Sequence, residues 1–469
     1  MQYKVKNPRT GEEDYSFDIL NKKDILNISN QLKIKQIAWN TEGVTFRIET
    51  LQNWRNALSK YQEAIIEALT IDTGRRSESV LEMQILLSSI DRWCKTAADF
   101  FAEKITKTSA IPFIDIHQEV VPYRLVGVIS PWNFPLLLSI IDTLPALLAG
   151  SAVIVKPSEV TPRFIEPLMQ SIQEVPDLAA VLHYVAGDGK TGSAVLQNAD
   201  IICFTGSVAT GKKVYAACAK QFKPCFLELG GKDAALVFEG ADLEHATSSL
   251  LWGSVVNCGH SCLSIERIYV QDTIFDAFLY RITEKANTLK LAYPSVSDGQ
   301  IGPIISEKQA SIIDNHLKDA LDKGAKLHSG VGHTEQKGGG FYCFPTILTG
   351  VNHDMKIMNE ETFGPILPIM PFKNEAEAID LANGTVFGLS GAVFAKTWEE
   401  GYRIGQRMEA GAISINDSAL TAIIHDGEKN AFKASGIGGT RMGPSAIKRF
   451  MRQKAFLVKK QAIPSPWWF

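Results

Sequence analysis

The chain has 469 residues, of which 45% are hydrophobic and 21% are charged, as expected for a folded globular protein of two or three domains. Its 48 basic and 51 acidic residues give a net charge of −3 without a basic cluster, which argues against disorder and against a nucleic-acid partner. Seven scattered cysteines and an N-terminus unlike a secretory signal predict a reducing, cytoplasmic location.

The first part of the chain is predicted to be helical and then to change to β structure. Apolar residues recur three and four positions apart over residues 47–105, as on one face of a helix. Residues 111–128 are instead rich in isoleucine and valine. The apolar stretch 135–155 contains an aspartate, prolines and a glycine, so we expect a buried helix over 136–148, a strand at 152–155 and no membrane span.

The middle of the chain alternates between short apolar runs and helical stretches. The candidate strands are residues 151–155, 180–184, 200–204 and 234–238, and the intervening helices are residues 162–173, 192–197 and 211–220. This alternation predicts an α/β fold, in which a parallel sheet carries helices on both faces. A second α/β region is expected over residues 243–433, with strands near 267–270 and 391–394 and a loop at 338–340.

Two glycine-containing turns follow predicted strands. Residues 187–192 match the GxGxxG pattern of dinucleotide-binding proteins, but the acidic residue Asp200 comes too soon after it, so we interpret this motif as a tight turn that does not contact phosphate. Gly206 and Gly211 frame the second turn. There Ser207 is suited to cap a helix and to donate its hydroxyl to a phosphate oxygen.

Two further motifs contain reactive side chains. Glu228 precedes the pair Gly230 and Gly231, and it is either a general base with a raised pKa or a surface residue before a turn. Cys258 and Cys262 flank a histidine, but no second pair of ligands lies nearby, so no metal site is expected. A nucleophilic thiol and an ordinary thiol remain as alternatives.

The order of six motifs is more informative than any one of them. They are Pro131–Pro135, Lys156–Glu159, Phe204–Ser207, Glu228–Lys232, Cys262 and Glu360–Pro365. Together they resemble the aldehyde dehydrogenase superfamily, and the resemblance extends from Asn7 to Gly438. It implies a Rossmann-like cofactor domain (1–107 and 129–233), an α/β catalytic domain (234–445) and a small β oligomerisation element (108–128 and 446–469).

The resemblance implies that an aldehyde is oxidised to the carboxylic acid with NAD(P)+. Cys262 would attack the aldehyde to give a thiohemiacetal and then a thioester, while the Asn133 amide and the Cys262 N–H would bind the oxyanion. Glu228 would activate the water that hydrolyses the thioester. A CoA-acylating enzyme of the same superfamily commonly lacks this glutamate, and a non-catalytic relative would lack Cys262 or Glu228, so both alternatives are disfavoured.

The resemblance also implies the cofactor-binding residues, which are Trp132, Lys156, Ser158, Glu159, Gly206, Ser207, Gly211, Leu229, Glu361 and Phe363. Lys156 and Glu159 match positions that hold the adenosine ribose, and Glu361 and Phe363 match positions at the nicotinamide. A carboxylate at the ribose accepts hydrogen bonds from both hydroxyls of NAD and repels the 2′-phosphate of NADP. Glu159 therefore predicts NAD as the cofactor, with NADP possible.

Three positions depart from the superfamily pattern. His260 stands where glutamine is usual, Ile265–Arg267 replaces Gly-Thr-Arg, and Glu428–Phe432 replaces a Pro-Phe-Gly-Gly run. The last of these borders the substrate entrance in the superfamily, so the aldehyde is the least transferable property. We expect an apolar or aromatic aldehyde, because no arginine cluster indicates a second acidic group on the substrate.

The predicted partners are the aldehyde and further copies of the chain. The β segment Ile111–Val128 and the strand-like Phe456–Val458 resemble the oligomerisation elements of the superfamily. An exposed sheet edge pairs readily with another strand, so we predict a homodimer or a homotetramer. The aromatic tail Pro464–Phe469 is expected to pack against a partner surface.

Overall fold

The computed structural model of the chain describes residues 2–102, 106–108, 110 and 114–460. Ile111, at the start of the predicted β segment, and the aromatic tail Pro464–Phe469 lie outside the described residues. The first elements are β1 (Gln2–Lys6), β2 (Glu13–Asp18), α1 (Lys22–Thr41), α2 (Gly43–Thr73), α3 (Arg76–Ala102), β3 (Thr106–Thr108), β4 (Ile114–Pro122), β5 (Leu125–Ile129), α4 (Pro135–Ile140) and α5 (Thr143–Ala149).

Alternating strands and helices form the middle of the chain. They are β6 (Ala152–Lys156), α6 (Ile165–Gln173), α7 (Pro176–Ala179), β7 (Leu182–Tyr184), α8 (Gly189–Asn198), β8 (Ile201–Thr205), α9 (Val208–Ala219), β9 (Cys225–Glu228), β10 (Asp233–Val237), α10 (Leu243–Val255), β11 (Ile265–Gln271) and α11 (Phe275–Thr288). Short 3₁₀ turns lie at Val256–Gly259, Asp272–Ile274 and Pro444–Phe450.

The remaining elements complete a second α/β region and end in a long strand. They are α12 (Glu307–Asp322), β12 (Lys326–Ser329), β13 (Glu335–Lys337), β14 (Gly340–Tyr342), β15 (Thr346–Thr349), α13 (Lys356–Asn359), β16 (Ile366–Phe372), α14 (Glu375–Asn383), β17 (Phe387–Gly388), β18 (Ser390–Phe394), α15 (Trp398–Gly405), β19 (Ala412–Ile415), α16 (Leu420–Ile423), β20 (Phe432–Lys433), β21 (Gly436–Ile437) and β22 (Met451–Lys459).

The first large sheet has six strands in the order β21-β9-β8-β5-β6-β7. All its neighbouring strands are parallel except β21, which runs antiparallel to β9. Strands β6 and β8 are buried along their whole length, as expected for a parallel sheet covered on both faces. The predicted strands at 151–155, 180–184 and 200–204 all lie in this sheet.

The second large sheet has seven strands in the order β12-β15-β16-β11-β10-β18-β19. Its pairs are parallel except for β12 with β15. It contains the strands predicted at 234–238, 267–270 and 391–394. The two parallel sheets with their helices confirm the predicted α/β fold. Of the predicted loop at 338–340, residues 338 and 339 form the turn of the β13–β14 hairpin, and Gly340 begins strand β14.

A small sheet of three strands, β22-β4-β3, stands apart from the two large sheets. Strand β22 pairs antiparallel with β4 from Met451 to Lys459, and Leu457 is 71% exposed. Strand β5, in contrast, pairs with β6 and β8 of the six-stranded sheet, so the segment predicted as one β unit contributes to two sheets. The division of the chain into domains stays a prediction.

The apolar stretch 135–155 forms two short helices, α4 and α5, followed by strand β6. The expected single helix is broken at Asp142, whose carboxylate binds two arginines from the C-terminal part of the chain. Within the described ranges, no helix is both long enough and apolar enough to span a bilayer.

Candidate active site

One cavity of about 790 Å³ brings together most of the predicted site residues. It is lined by Cys262, Asn133, Trp132, Lys156, Ser158, Glu159, Gly206, Ser207, Leu229, Glu361 and Phe363. Among the described site residues, Glu228 and Gly211 do not line it. This volume is in the range of small-molecule and cofactor sites. Several of these residues follow the carboxyl ends of parallel strands, where α/β proteins bind ligands.

The cavity-lining Cys262 lies in a loop that several polar contacts hold rigid. Upstream of it, Asn257 and Cys258 have φ values of 56° and 58°, a conformation that non-glycine residues rarely adopt. The Asn257 side-chain amide donates to the carbonyl oxygens of Asn133 (2.9 Å) and His260 (3.0 Å). The Asn133 amide also donates to the His260 carbonyl, at 3.0 Å. The loop and the Asn133 turn are therefore fixed against each other.

The protonation of the Cys262 thiol depends on its surroundings. Burial is the largest cause, the carboxylates of Glu361, Glu228 and Asp233 act in the same direction, and Lys429 opposes them, so that the pKa of this thiol is raised to about 12. The neutral thiol is thus favoured at neutral pH. Cys258 differs in that it does not line the cavity; its thiol is enclosed by the protein and donates to the Gly302 carbonyl at 3.2 Å.

Glu228 ends strand β9, and its charge is balanced by cations from the C-terminal part of the chain. Burial raises the pKa of Glu228, and the positive charges of Arg441, Lys429 and Arg449 oppose that rise. The two arginines bind the buried Asp142 carboxylate at 2.7 Å and 2.6 Å. The side chain of Glu228 is partly exposed, and its charge affects the thiol of Cys262, but it does not line the main cavity.

A second part of the cavity lining has the features of a nucleotide site. The Lys156 ammonium donates to the Glu159 carboxylate at 2.6 Å, and the lysine side chain is only 5% exposed. Ser158 lies between these two residues. Ser207 caps helix α9, where its hydroxyl accepts from the Thr210 N–H. Because peptide N–H groups point out of a helix N-terminus, this end of α9 favours an anion.

Glycines allow two close approaches beside the cavity. A Cβ on Gly230 would lie 2.5 Å from the Glu361 carboxylate, and one on Gly211 would lie 2.5 Å from a Leu229 methyl group. The Gly231 N–H donates to Glu361 at 3.1 Å. Burial, followed by nearby carboxylates, raises the pKa of Glu361 to about 8. Gly211 does not line the cavity itself, but it packs against Leu229, which does.

The sequence analysis missed one wall of the cavity. Ile305, Ser306 and Gln309 line it from the start of helix α12. Ser306 caps this helix, and a serine before an amphipathic helix is a recognisable start signal, but it does not reveal what the helix faces. Within the GxGxxG motif, Gly189 and Gly192 line the cavity, and Asp188 caps helix α8.

Comparison with known proteins identifies the family. The model of the aldehyde dehydrogenase family matches residues 1–456. The chain belongs to this family. It is 34% identical over 446 residues to the 4,4′-diapolycopene aldehyde oxidase of a Methylomonas species, which covers 92% of this chain and 81% of the relative. The resemblance inferred from the motifs is thereby confirmed.

Solved structures agree with this assignment. PutA of Anabaena variabilis, named as an aldehyde dehydrogenase, superposes with a TM-score of 0.98 at 53% identity, covering 100% of both chains. The betaine aldehyde dehydrogenase of Staphylococcus aureus, solved in complex with NAD+, gives a TM-score of 0.92 at 27% identity, covering 100% of this chain and 93% of the other. The predictions of an enzyme that oxidises aldehydes and of this fold are confirmed.

Proposed function

We propose that this aldehyde dehydrogenase forms a thioester on Cys262 and hydrolyses it to the carboxylic acid, with NAD+ as the preferred cofactor and NADP+ as an alternative. The shared cavity is the observation that supports this most directly. The Cys262 thiol and the Asn133 amide face the same space as the Lys156–Glu159 pair and the helix end at Ser207. A nucleophile, an oxyanion donor and a nucleotide site thus share one cavity.

The residues at the far end fit a dinucleotide. The N-terminus of α9 suits the pyrophosphate, and the Glu159 carboxylate suits ribose hydroxyls. Glu361 and Phe363 line the same cavity as Cys262, the charge of Glu361 raises the pKa of that thiol, and both residues suit the nicotinamide end. When bound, NAD(P)+ accepts the hydride of the aldehyde. The NAD+ complex of the Staphylococcus aureus relative supports this cofactor class.

The chain's own residues account for the acyl chemistry. The Cys262 thiol first gives up its proton to solvent water; Sγ then bonds to the aldehyde carbon, and the carbonyl oxygen takes up the negative charge. Asn133 uses one amide hydrogen on the His260 carbonyl, so its second hydrogen is available to the oxyanion together with the Cys262 N–H. Loss of hydride leaves the acyl group on Cys262 as a thioester.

Glu228 is the proposed base for the hydrolysis. A carboxylate whose pKa is raised by burial is a better proton acceptor than a free one, and Glu228 has such a pKa. It takes a proton from water, the hydroxide oxygen bonds to the thioester carbon, and Cys262 leaves as the thiolate. The carboxylic acid is the product.

An apolar or aromatic aldehyde is the proposed substrate class. Phe134 and Leu263 directly follow Asn133 and Cys262 in the chain, Leu137 comes one helical turn after Asn133, and all three are partly exposed apolar residues. The Methylomonas relative is named for 4,4′-diapolycopene aldehyde, and a polyene aldehyde would present an apolar chain to the site. Hydrophobic burial of such a chain favours binding in proportion to its apolar area.

The proposed assembly is a homodimer or a homotetramer in the cytoplasm. The sheet β22-β4-β3 exposes apolar side chains on both of its longer strands, including Val120, Val121 and Leu457. Pairing or packing of this sheet with a second copy would cover them. Cys94, Cys203, Cys218, Cys225, Cys258, Cys262 and Cys343 are free thiols, in agreement with a reducing compartment.

The proposal is tested by following NADH absorbance with a panel of aliphatic, aromatic and polyene aldehydes. Cys262→Ala should abolish turnover while binding of NAD+ persists, whereas Cys258→Ala should retain most activity because Cys258 is buried away from the cavity. A parallel reaction with CoA separates hydrolysis from acyl transfer. Turnover that requires CoA, or inactivation through Cys258 with Cys262 unmodified, would contradict the proposal.

A further inference from the structure

The segment Glu361–Phe363, at the cofactor end of the Cys262 cavity, adopts an unfavourable backbone conformation. Phe363 has a φ of 53°, in the left-handed region that an aromatic residue rarely occupies. Such a conformation persists only when the surrounding contacts impose it. The contacts that impose it come from Glu266 and His260, two positions at which the chain departs from the superfamily pattern. Gln309 adds to them, because its side-chain amide donates to the carbonyl oxygens of Thr362 (2.9 Å) and Phe363 (3.3 Å).

Glu266 holds the backbone N–H groups of this segment. Its carboxylate, which is 1% exposed, accepts from the N–H of Thr362 at 2.7 Å and from the N–H of Phe363 at 2.8 Å. The buried Lys232 ammonium donates to the same carboxylate at 2.6 Å and to the Thr362 hydroxyl at 3.0 Å. A threonine at position 266 has a single side-chain oxygen and cannot satisfy all three donors.

His260 holds the carbonyl group of Phe363. Its Nδ1 lies 2.7 Å from that oxygen, and its Nε2 lies 3.3 Å from the N–H of Ile305. Since the Ile305 N–H is a donor, Nε2 accepts and Nδ1 carries the proton that is donated to Phe363. The two rings lie almost parallel, with centroids 5.6 Å apart, and Trp132 packs edge-on against both.

We propose that Glu266 and His260 are positioning residues for the redox step, which fix Glu361 and Phe363 at the nicotinamide end of the cavity. This inference rests on the proposed function. Glu266 fixes the peptide group that precedes Phe363, and His260, together with Gln309, fixes the peptide group that follows it, so neither can rotate to relax the φ angle of Phe363. The departures at positions 260 and 266 thus belong to one structural unit.

The two halves of the reaction separate this role from a general structural one. Hydride transfer depends on the position of Glu361 and Phe363, which hold the nicotinamide. A misplacement of the reacting atoms by about 1 Å costs on the order of 100-fold in rate. Hydrolysis of p-nitrophenyl acetate needs no cofactor: Cys262 takes the acetyl group, p-nitrophenolate leaves, and Glu228 activates water to release acetate. Variants of the positioning residues should therefore impair the first reaction and spare the second.

The first experiment uses Glu266→Gln. Its matched control is Glu244→Gln, which removes the same charge from an ion pair in which the Glu244 side chain is 67% exposed. Glu266→Gln should lower kcat for aldehyde oxidation by roughly tenfold or more, a change of about 1.4 kcal/mol. It should also increase the isotope effect on kcat with a 1-deuterated aldehyde. The rate of ester hydrolysis by the variant should stay within about threefold of the wild-type rate.

The second experiment compares two substitutions of His260. His260→Gln retains one donor and one acceptor and should keep most activity, whereas His260→Leu should behave like Glu266→Gln. In the Cys262→Ala background, calorimetry should give an NAD+ dissociation constant that is higher for His260→Leu than for His260→Gln. Without cofactor, amide hydrogen exchange in the peptide containing Phe363 should be faster in Glu266→Gln and His260→Leu.

The outcomes separate the inference from the proposed function. Unchanged hydrogen exchange, or an equal fall in ester hydrolysis and oxidation with an unchanged isotope effect, would overturn the positioning role. If NAD(P)+ neither binds to nor is reduced by the wild type, the proposed function fails. A third outcome would also overturn the inference: hydrogen exchange is faster in the variants, but the NAD+ dissociation constant and kcat are unchanged. The segment would then be more mobile with no effect on cofactor binding or turnover.

Discussion

The charge environment of Cys262 predicts how fast its thiol reacts at each pH. A pKa of about 12 lies three units above the ordinary value of 9.0, a difference of about 4 kcal/mol against the thiolate. At neutral pH the thiolate fraction is then about a thousandfold lower than for an exposed cysteine. Because iodoacetamide reacts with the thiolate, the alkylation rate of the enzyme without cofactor should increase about tenfold per pH unit from pH 7 to 10.

Two substitutions should move this rate in opposite directions. Lys429→Met removes a cation that favours the thiolate, so alkylation should be slower throughout, by about tenfold for a shift of one pKa unit. Glu361→Gln removes a carboxylate that disfavours the thiolate. Because the pKa of Glu361 is about 8, its charge is present only at higher pH, and the variant should react faster than wild type only above about pH 8.

Peptide mass spectrometry of the alkylated chain measures the modification of Cys262 separately from the other cysteines. The Cys258→Ala variant serves as the control, and its rate should equal that of the wild type. A plateau in the wild-type rate below pH 9 would refute the high thiol pKa. A change in the same direction for Lys429→Met and Glu361→Gln would refute the assignment of the charges that cause it.

Three further predictions concern the base, the cofactor and stability. Glu228→Gln should give a rapid burst of NADH followed by slow turnover in stopped-flow absorbance, and loss of the burst would place Glu228 before hydride transfer. Wild type should favour NAD, and Glu159→Ser should move the ratio of kcat/KM for NAD and NADP toward NADP by roughly tenfold or more, since Lys156 then loses its counter-charge; a wild type that favours NADP would contradict this. Asp142→Asn should lower the free energy of unfolding by about 3–5 kcal/mol, because two buried guanidinium groups lose their carboxylate. The midpoint of urea unfolding measures this loss, and an unchanged midpoint would contradict it.

The sequence was sufficient for the parallel sheets because their strands are continuous apolar runs. It was not sufficient for helix α1, whose buried positions include Ser29 and Gln36 as well as Leu32 and Trp39. These polar residues interrupt the apolar periodicity, yet Gln36 is buried because its amide donates to the Gly150 carbonyl at 2.8 Å. A buried hydrogen bond to a residue 114 positions away leaves no local signal.

The candidate site divides in the same way. Cys262, Asn133 and Glu159 lie in short motifs whose order along the chain is visible in the sequence, so their positions could be predicted. Gln309 reaches the cavity from a helix that has no such motif. The sequence showed Glu266 only as a departure from the superfamily pattern. Its role could not be predicted, because its partners Thr362 and Lys232 are distant in the sequence.

The pairing of β21 with β9 has a consequence for the order in which the chain folds during synthesis. The Leu229 N–H donates to the Ser435 carbonyl at 2.8 Å, and Gly436 pairs with Glu228. At the usual rate of about 5–20 residues per second, the ribosome needs roughly 10–40 seconds to synthesise the chain between these partners. Strand β9 is an open sheet edge during that interval. The nascent chain therefore already contains Glu228 and Cys262 before β21 can pair with β9 and complete the site.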